Sequence, residues 1–126
     1  MSLIHIEGPE HFEKEITQFD GLCIVDFWAE RCGPCRMLGP IMEDLATMYE
    51  GKPIRIAKVN VDENPELAAQ FNVSSIPVVF FLQGGNIGES IIGVNPKTVY
   101  QERIDTFLAQ AREEKKEEKK EEKAGE

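Results

Sequence analysis

The sequence predicts an α/β fold, a three-layer sandwich on a mixed sheet of about five strands with helices on both faces. Three observations lead there. Apolar runs of strand length alternate with stretches of helical periodicity along most of the chain, the order that builds parallel strands joined by helices. The run Leu22 to Trp28 is apolar with almost no alternation, as in a strand covered on both faces. Gly84-Gly85-Asn86 is a hairpin signal between two further apolar runs, which makes the last two strands antiparallel.

Taken in order, Leu3 to Ile6 is a short strand, broken by Gly8-Pro9. Pro9-Glu10 suits a first helical turn, because proline there loses no hydrogen bond and the acid meets the positive end of the helix. Phe12, Ile16 and Phe19 form an apolar helical stripe that Asp20-Gly21 ends. After the strand Leu22 to Trp28, the residues Met37, Leu38, Ile41, Met42, Leu45 and Met48 repeat at helical spacing as far as Gly51. Pro40 lies inside that run and is expected to kink it.

Ile54 to Val61 is the next strand, with Ile54, Ile56 and Val59 as its core residues. Asp62-Glu63-Asn64-Pro65 opens a short helix that reaches Phe71. Ile76 to Leu82 and Ile87 to Ile92 are the hairpin strands. Gly93-Val94-Asn95-Pro96 starts the last helix, whose apolar face is Val99, Ile104, Phe107 and Leu108.

The chain has 126 residues and a formal charge of −9. Residues 1–111 are of the size of one domain, and residues 112–126 form a charged Glu/Lys-rich tail. That tail holds seven acidic and six basic residues, so the body carries 16 acidic against 8 basic. An acidic body repels phosphate, which argues against nucleic acid and against anionic membrane surfaces. The tail repeats Glu-Glu-Lys-Lys, placing like charges at i,i+4, so a frayed end of the last helix or a disordered segment is expected. The N-terminus has no basic, apolar leader pattern, and no segment approaches the ~20 apolar residues of a membrane span. A cytoplasmic protein is expected, where structural disulfides are rare and a cysteine pair is more often catalytic or metal-binding.

The chemistry concentrates in Arg31-Cys32-Gly33-Pro34-Cys35, at a junction from strand to helix. The thiolate is the nucleophile of disulfide exchange, and a helix N-terminus stabilises it. Spacing of three places Cys35 one turn inward, where it can attack a mixed disulfide on Cys32. Asp26 is the polar exception in its strand, and a carboxyl in apolar surroundings has a raised pKa. The third cysteine, Cys23, reads as a small core hydrophobe.

Val25-Asp26-Phe27-Trp28-Ala29-Glu30 followed by Cys32-Gly33-Pro34-Cys35 closely resembles the active-site signature of the thioredoxin family. Pro40, Ala57 to Asp62, Asn64-Pro65, Ile76-Pro77 and Gly93 extend the likeness over roughly Leu3 to Gln110. The resemblance implies a thioredoxin-like fold and a protein-disulfide reductase that cycles between a Cys32/Cys35 dithiol and disulfide. Cys32 would attack and Cys35 resolve, with Asp26 moving protons for Cys35 and Lys58 as its charged partner. Ile76-Pro77 would be a cis-proline loop facing the cysteines. Together with Trp28, Arg31, Gly33, Pro34, Gly93 and Val94 it would bind substrate. The implied partners are disulfide-containing proteins and a thioredoxin reductase as electron donor, in cell redox homeostasis and electron transport. The protein is expected to be a monomer without cofactor or metal. Arg31 departs from the family, which usually has an aromatic residue there. Its charge is expected to favour the Cys32 thiolate.

Three other readings compete with this one. A structural zinc site wants four ligands, and a second CxxC or His pair is missing from the sequence. A disulfide oxidase or isomerase would use the same fold, with Arg31 leaning that way. A redox-inert binding subunit would not need the intact motif.

Overall fold

Seven residues with one polar side chain among them, Leu22–Trp28, form strand β2, the middle strand of the sheet. The computed structural model describes residues 3–124, with side chains as far as Glu118. The sheet order is β1-β3-β2-β4-β5, from β1 (Leu3–His5), β3 (Ile54–Asn60), β4 (Val78–Gln83) and β5 (Asn86–Ile92). β3 runs parallel to both β1 and β2, whereas β4 is antiparallel to β2 and β5. The predicted mixed five-strand sheet is what forms. Gly84 and Gly85 have φ of 58° and 83°, the left-handed backbone that a two-residue hairpin turn requires.

Because side chains alternate along a strand, β2 presents two surfaces. Cys23, Val25 and Phe27 join Ala57 and Val59 of β3 and Val78, Phe80 and Leu82 of β4 in one buried cluster. Phe12, Ile16 and Leu67 cover it, contributed by the first and third helical segments. Phe71 centres an aromatic set with ring centroids 5.4 Å from Phe12, 5.3 Å from Phe27 and 5.2 Å from Phe80. The opposite surface carries Leu22, Ile24 and Asp26, aligned with Ile54, Ile56 and Lys58 of β3. Helix α2 (Gly33–Met48) lies over that surface through Leu38, Met42 and Leu45, all fully buried. It continues unbroken past Pro40.

The first helix differs from its expected form. A single turn, α1 (Pro9–Phe12), passes into a π-helical segment, Glu13–Thr17. The Gln18 N–H donates to the Glu13 carbonyl at 3.1 Å, five residues back. Tertiary partners occupy the next carbonyls. Arg55 donates to the Glu15 carbonyl at 2.7 Å and stacks 4.2 Å from the Phe19 ring centroid. The Cys23 thiol donates to the Ile16 carbonyl at 3.7 Å. A Cβ on Gly21 would collide with the Pro53 carbonyl and the Phe19 ring, so close approach is what requires glycine there.

Asn64 precedes α3 (Pro65–Gln70) and is buried. It accepts from the Gly8 N–H at 2.8 Å and donates to the Asn60 carbonyl at 3.0 Å. One side chain thus ties the end of β1 to the turn after β3.

By its internal packing the chain divides after Asn95 into two units. The second contains α4 (Lys97–Ala124). Ile104 is buried on this helix as its apolar pattern predicts, and Tyr100, which the pattern missed, is buried too. The tail continues α4 as far as Ala124, the first of the two forms expected of it and not the disordered one. Glu, Lys and Ala are strong helix formers, and propagation from an existing helix outweighs like-charge pairs worth about 0.5 kcal/mol or less each. Gly125 and Glu126 of that tail, and Met1 and Ser2 at the other end, lie outside the described residues.

Candidate active site

The dithiol motif sits where β2 gives way to α2. The Cys32 N–H donates to the Ala29 carbonyl at 3.2 Å, closing a turn after Trp28. Cys32 is the N-cap of α2 with extended backbone, and its Sγ accepts the Cys35 N–H at 3.2 Å. Pro34 lies in the first turn, where no intrahelical bond is lost. Cys32 and Cys35 are joined by a disulfide. Cys32 is partly exposed, whereas Cys35 is 2% exposed. The N–H groups of the first helical turn and the helix dipole therefore bear on the sulfur that solvent and substrate can reach.

Asp26 is fully buried on the sheet surface that α2 covers. Neither carboxylate oxygen has a hydrogen-bond partner among the described residues. Burial pushes its pKa up to about 7, and the Lys58 charge opposes that shift. Lys58 is aligned with Asp26 across the parallel β2–β3 pair. Its ammonium, however, lies 4.3 Å from the centroid of the Trp28 ring, a cation–π contact. Lys58 thus acts on Asp26 as a charge through space, not as a hydrogen-bonded partner.

Ile76-Pro77 is cis, as the family resemblance implied. The Ile76 carbonyl oxygen lies 3.8 Å from Cys32 Sγ, and the Pro77 carbonyl accepts the Gly93 N–H at 2.8 Å. That brings the proline loop against the dithiol and Gly93 against the loop. Gly33 and Pro34 are exposed, and Trp28, Ile76, Gly93 and Val94 are half-buried. A cleft of about 320 Å³ is lined by Phe12, Leu67, Phe71 and Leu82 among others and includes neither cysteine of the pair.

Arg31 Nη2 donates to Asp62 Oδ1 at 3.4 Å, with the two side chains 66% and 55% exposed. Sequence reasoning singled out Arg31 and missed its counter-ion. No local pattern pointed to it: Asn60 Oδ1 accepts the backbone N–H groups of Asp62 and Glu63 at 2.9 and 3.3 Å, which fixes the Asp62 backbone without naming Arg31. An Asn side chain that accepts the N–H two residues on is a common way to fix such a turn. Cys23 is buried, and burial pushes its thiol up to about 12, so it stays protonated and inert.

The family described as Thioredoxin matches residues 4–106. A thioredoxin from Chlorobaculum thiosulfatiphilum is 48% identical over 99 residues, spanning 79% of this chain and 91% of that protein. The chain belongs to the thioredoxin family. Thioredoxin 2 of Chlorobaculum tepidum is 47% identical over 99 residues, spanning 79% and 90% of the two chains. The solved structure of a mutant thioredoxin from Halobacterium salinarum NRC-1 is similar with a TM-score of 0.75 at 28% identity, covering 84% of this chain and 90% of that one. Like other thioredoxins, this protein is a thiol–disulfide oxidoreductase that acts on disulfide substrates through the Cys32–Cys35 pair. Among the described residues, no helix is long and apolar enough to cross a membrane.

Proposed function

We propose that the protein works as a protein-disulfide reductase in which Cys32 attacks and Cys35 resolves. The difference in exposure between the two sulfurs carries this reading. The Cys32 thiolate forms a bond to one sulfur of the substrate disulfide, and the other sulfur leaves as a thiolate. The Cys35 thiol then gives up its proton and attacks Cys32 Sγ. The second substrate thiolate is released, and the two electrons of the dithiol have passed to the substrate.

Asp26 takes the Cys35 proton through a water molecule, and a carboxyl titrating near pH 7 suits that task. Lys58 limits how far burial raises the Asp26 pKa. Trp28, Arg31, Gly33, Pro34, Ile76, Pro77, Gly93 and Val94 make the substrate surface. The Ile76 backbone pairs with an extended substrate segment, a short strand addition.

Residues 1–111 are the working domain and 112–126 a solvated charged tail. A thioredoxin reductase returns electrons to the Cys32–Cys35 disulfide, in a monomeric, cytoplasmic protein that serves electron transport. Cys23 suits a reducing compartment, being a free buried thiol. The test is trapping. Cys35→Ser should accumulate substrates disulfide-linked to Cys32 and lose turnover, while Cys32→Ser should accumulate none. Adducts that form on Cys35 in the Cys32→Ser protein would reverse the assignment.

A further inference from the structure

Arg31 stands one residue before the attacking cysteine, and its guanidinium makes a single contact with Asp62, at 3.4 Å. A guanidinium carries five N–H donors in a planar fork that fits a carboxylate two at a time. The contact with Asp62 uses one of them at the long end of the hydrogen-bonding range. Exposed ion pairs are worth about 1 kcal/mol or less, so this pair opens readily.

Its two halves are not equally mobile. Asp62 is on a turn fixed by Asn60 Oδ1, which accepts the Asp62 and Glu63 N–H groups. The same turn is tied to the strand entering the motif, because the Val61 N–H donates to the Trp28 carbonyl at 2.9 Å. The carboxylate therefore sits one short side chain away from a fixed backbone, while the guanidinium ends a long flexible stem. Arg36, which follows Cys35 in the sequence, is held by the Glu30 carbonyl, to which it donates at 3.1 Å. In a chain of net charge −9, Arg31 is the cation next in sequence to the attacking sulfur.

We propose that Arg31 and Asp62 form an exchangeable charge pair that selects substrates. Disulfides with a carboxylate side chain beside the attacked cysteine take the guanidinium over from Asp62 as they dock. Asp62 is the resting counter-ion and Arg31 the specificity-determining residue. A lysine at the same place in the substrate meets the guanidinium and is disfavoured. The proposal rests on Cys32 being the attacking thiol.

The experiment uses the reduced full-length protein and peptide disulfides that differ only in Glu, Gln or Lys beside the attacked cysteine. Each rate is normalised to that peptide's rate with dithiothreitol, which removes intrinsic differences in reactivity. The expected order of kcat/KM is Glu, Gln, Lys. Glu should exceed Gln by about three- to fivefold, the range of an exposed charge pair, with the difference in KM. Added salt should compress it. Asp62→Asn should widen the Glu/Gln ratio, and Arg31→Gln should bring it to one or below. A wild-type ratio of one, or a preference for Glu that survives Arg31→Gln, overturns the proposal. Failure of the wild type on all three peptides would overturn the redox reading, and this one with it.

Discussion

The two surfaces of β2 differ in a way that separates stability from chemistry. Cys23, Val25 and Phe27 face a cluster without an ionisable group other than the Cys23 thiol, which burial keeps protonated. Leu22, Ile24 and Asp26 face α2, and there a carboxyl without a hydrogen-bond partner among the described residues is fully buried. Both surfaces exclude water equally well. The same desolvation silences a thiol whose ordinary pKa is already above neutrality and brings a carboxyl up to where it can exchange protons. A strand can therefore hold a protonated cysteine and a carboxyl that titrates near neutrality three residues apart because their starting pKa values differ.

Three substitutions test that contrast. The largest effect is expected at Phe27, whose ring is fully buried and packs 5.4 Å from Phe80 between centroids. Phe27→Ala should cost about 3–5 kcal/mol in urea unfolding. A loss under about 1 kcal/mol would mean that this surface does not carry the stability assigned to it.

Asp26→Ala should have the opposite sign. The folded-state pKa of about 7 lies above the ordinary 3.8, so the folded protein holds a proton that the unfolded chain releases. Stability therefore falls as pH rises from about 4 to about 7 and stays low above that. Removing the group should stabilise the protein at pH 8 by up to about 4 kcal/mol, with no such gain at pH 3. Disulfide exchange should slow at the same time. Unfolding curves at the two pH values check this, and an unchanged or lower stability at pH 8 would contradict it.

Cys23→Ala should have the smallest effect, about 1 kcal/mol of stability lost through the small cavity. The rate of disulfide exchange, followed with a protein disulfide and dithiothreitol, should not change. A slower rate would show that the two surfaces are coupled.

Much of the site was legible because its residues are neighbours in sequence or carry chemistry with little else to do. Two cysteines three apart at the start of a helix specify a capped, asymmetric pair from local geometry. A lone Asp in an apolar strand is conspicuous for the same physical reason that shifts its pKa. Asp62 was not legible as the partner of Arg31, because 31 residues separate them and neither has a local pattern that names the other. The π-helical segment was hidden for a similar reason. The groups that draw on the Glu15 and Ile16 carbonyls, Arg55 and Cys23, belong to other strands.

By itself the sequence determined the order of the elements, the hairpin and the dithiol at a helix start, since each depends on residues within a turn or two of one another. Tertiary structure decided what lies across from them. It set the Ile76 carbonyl against Cys32, placed Lys58 on the Trp28 ring instead of on Asp26, and gave Arg31 its counter-ion. Those choices come from strand order and register, which place residues from distant parts of the chain side by side, and no local periodicity encodes them.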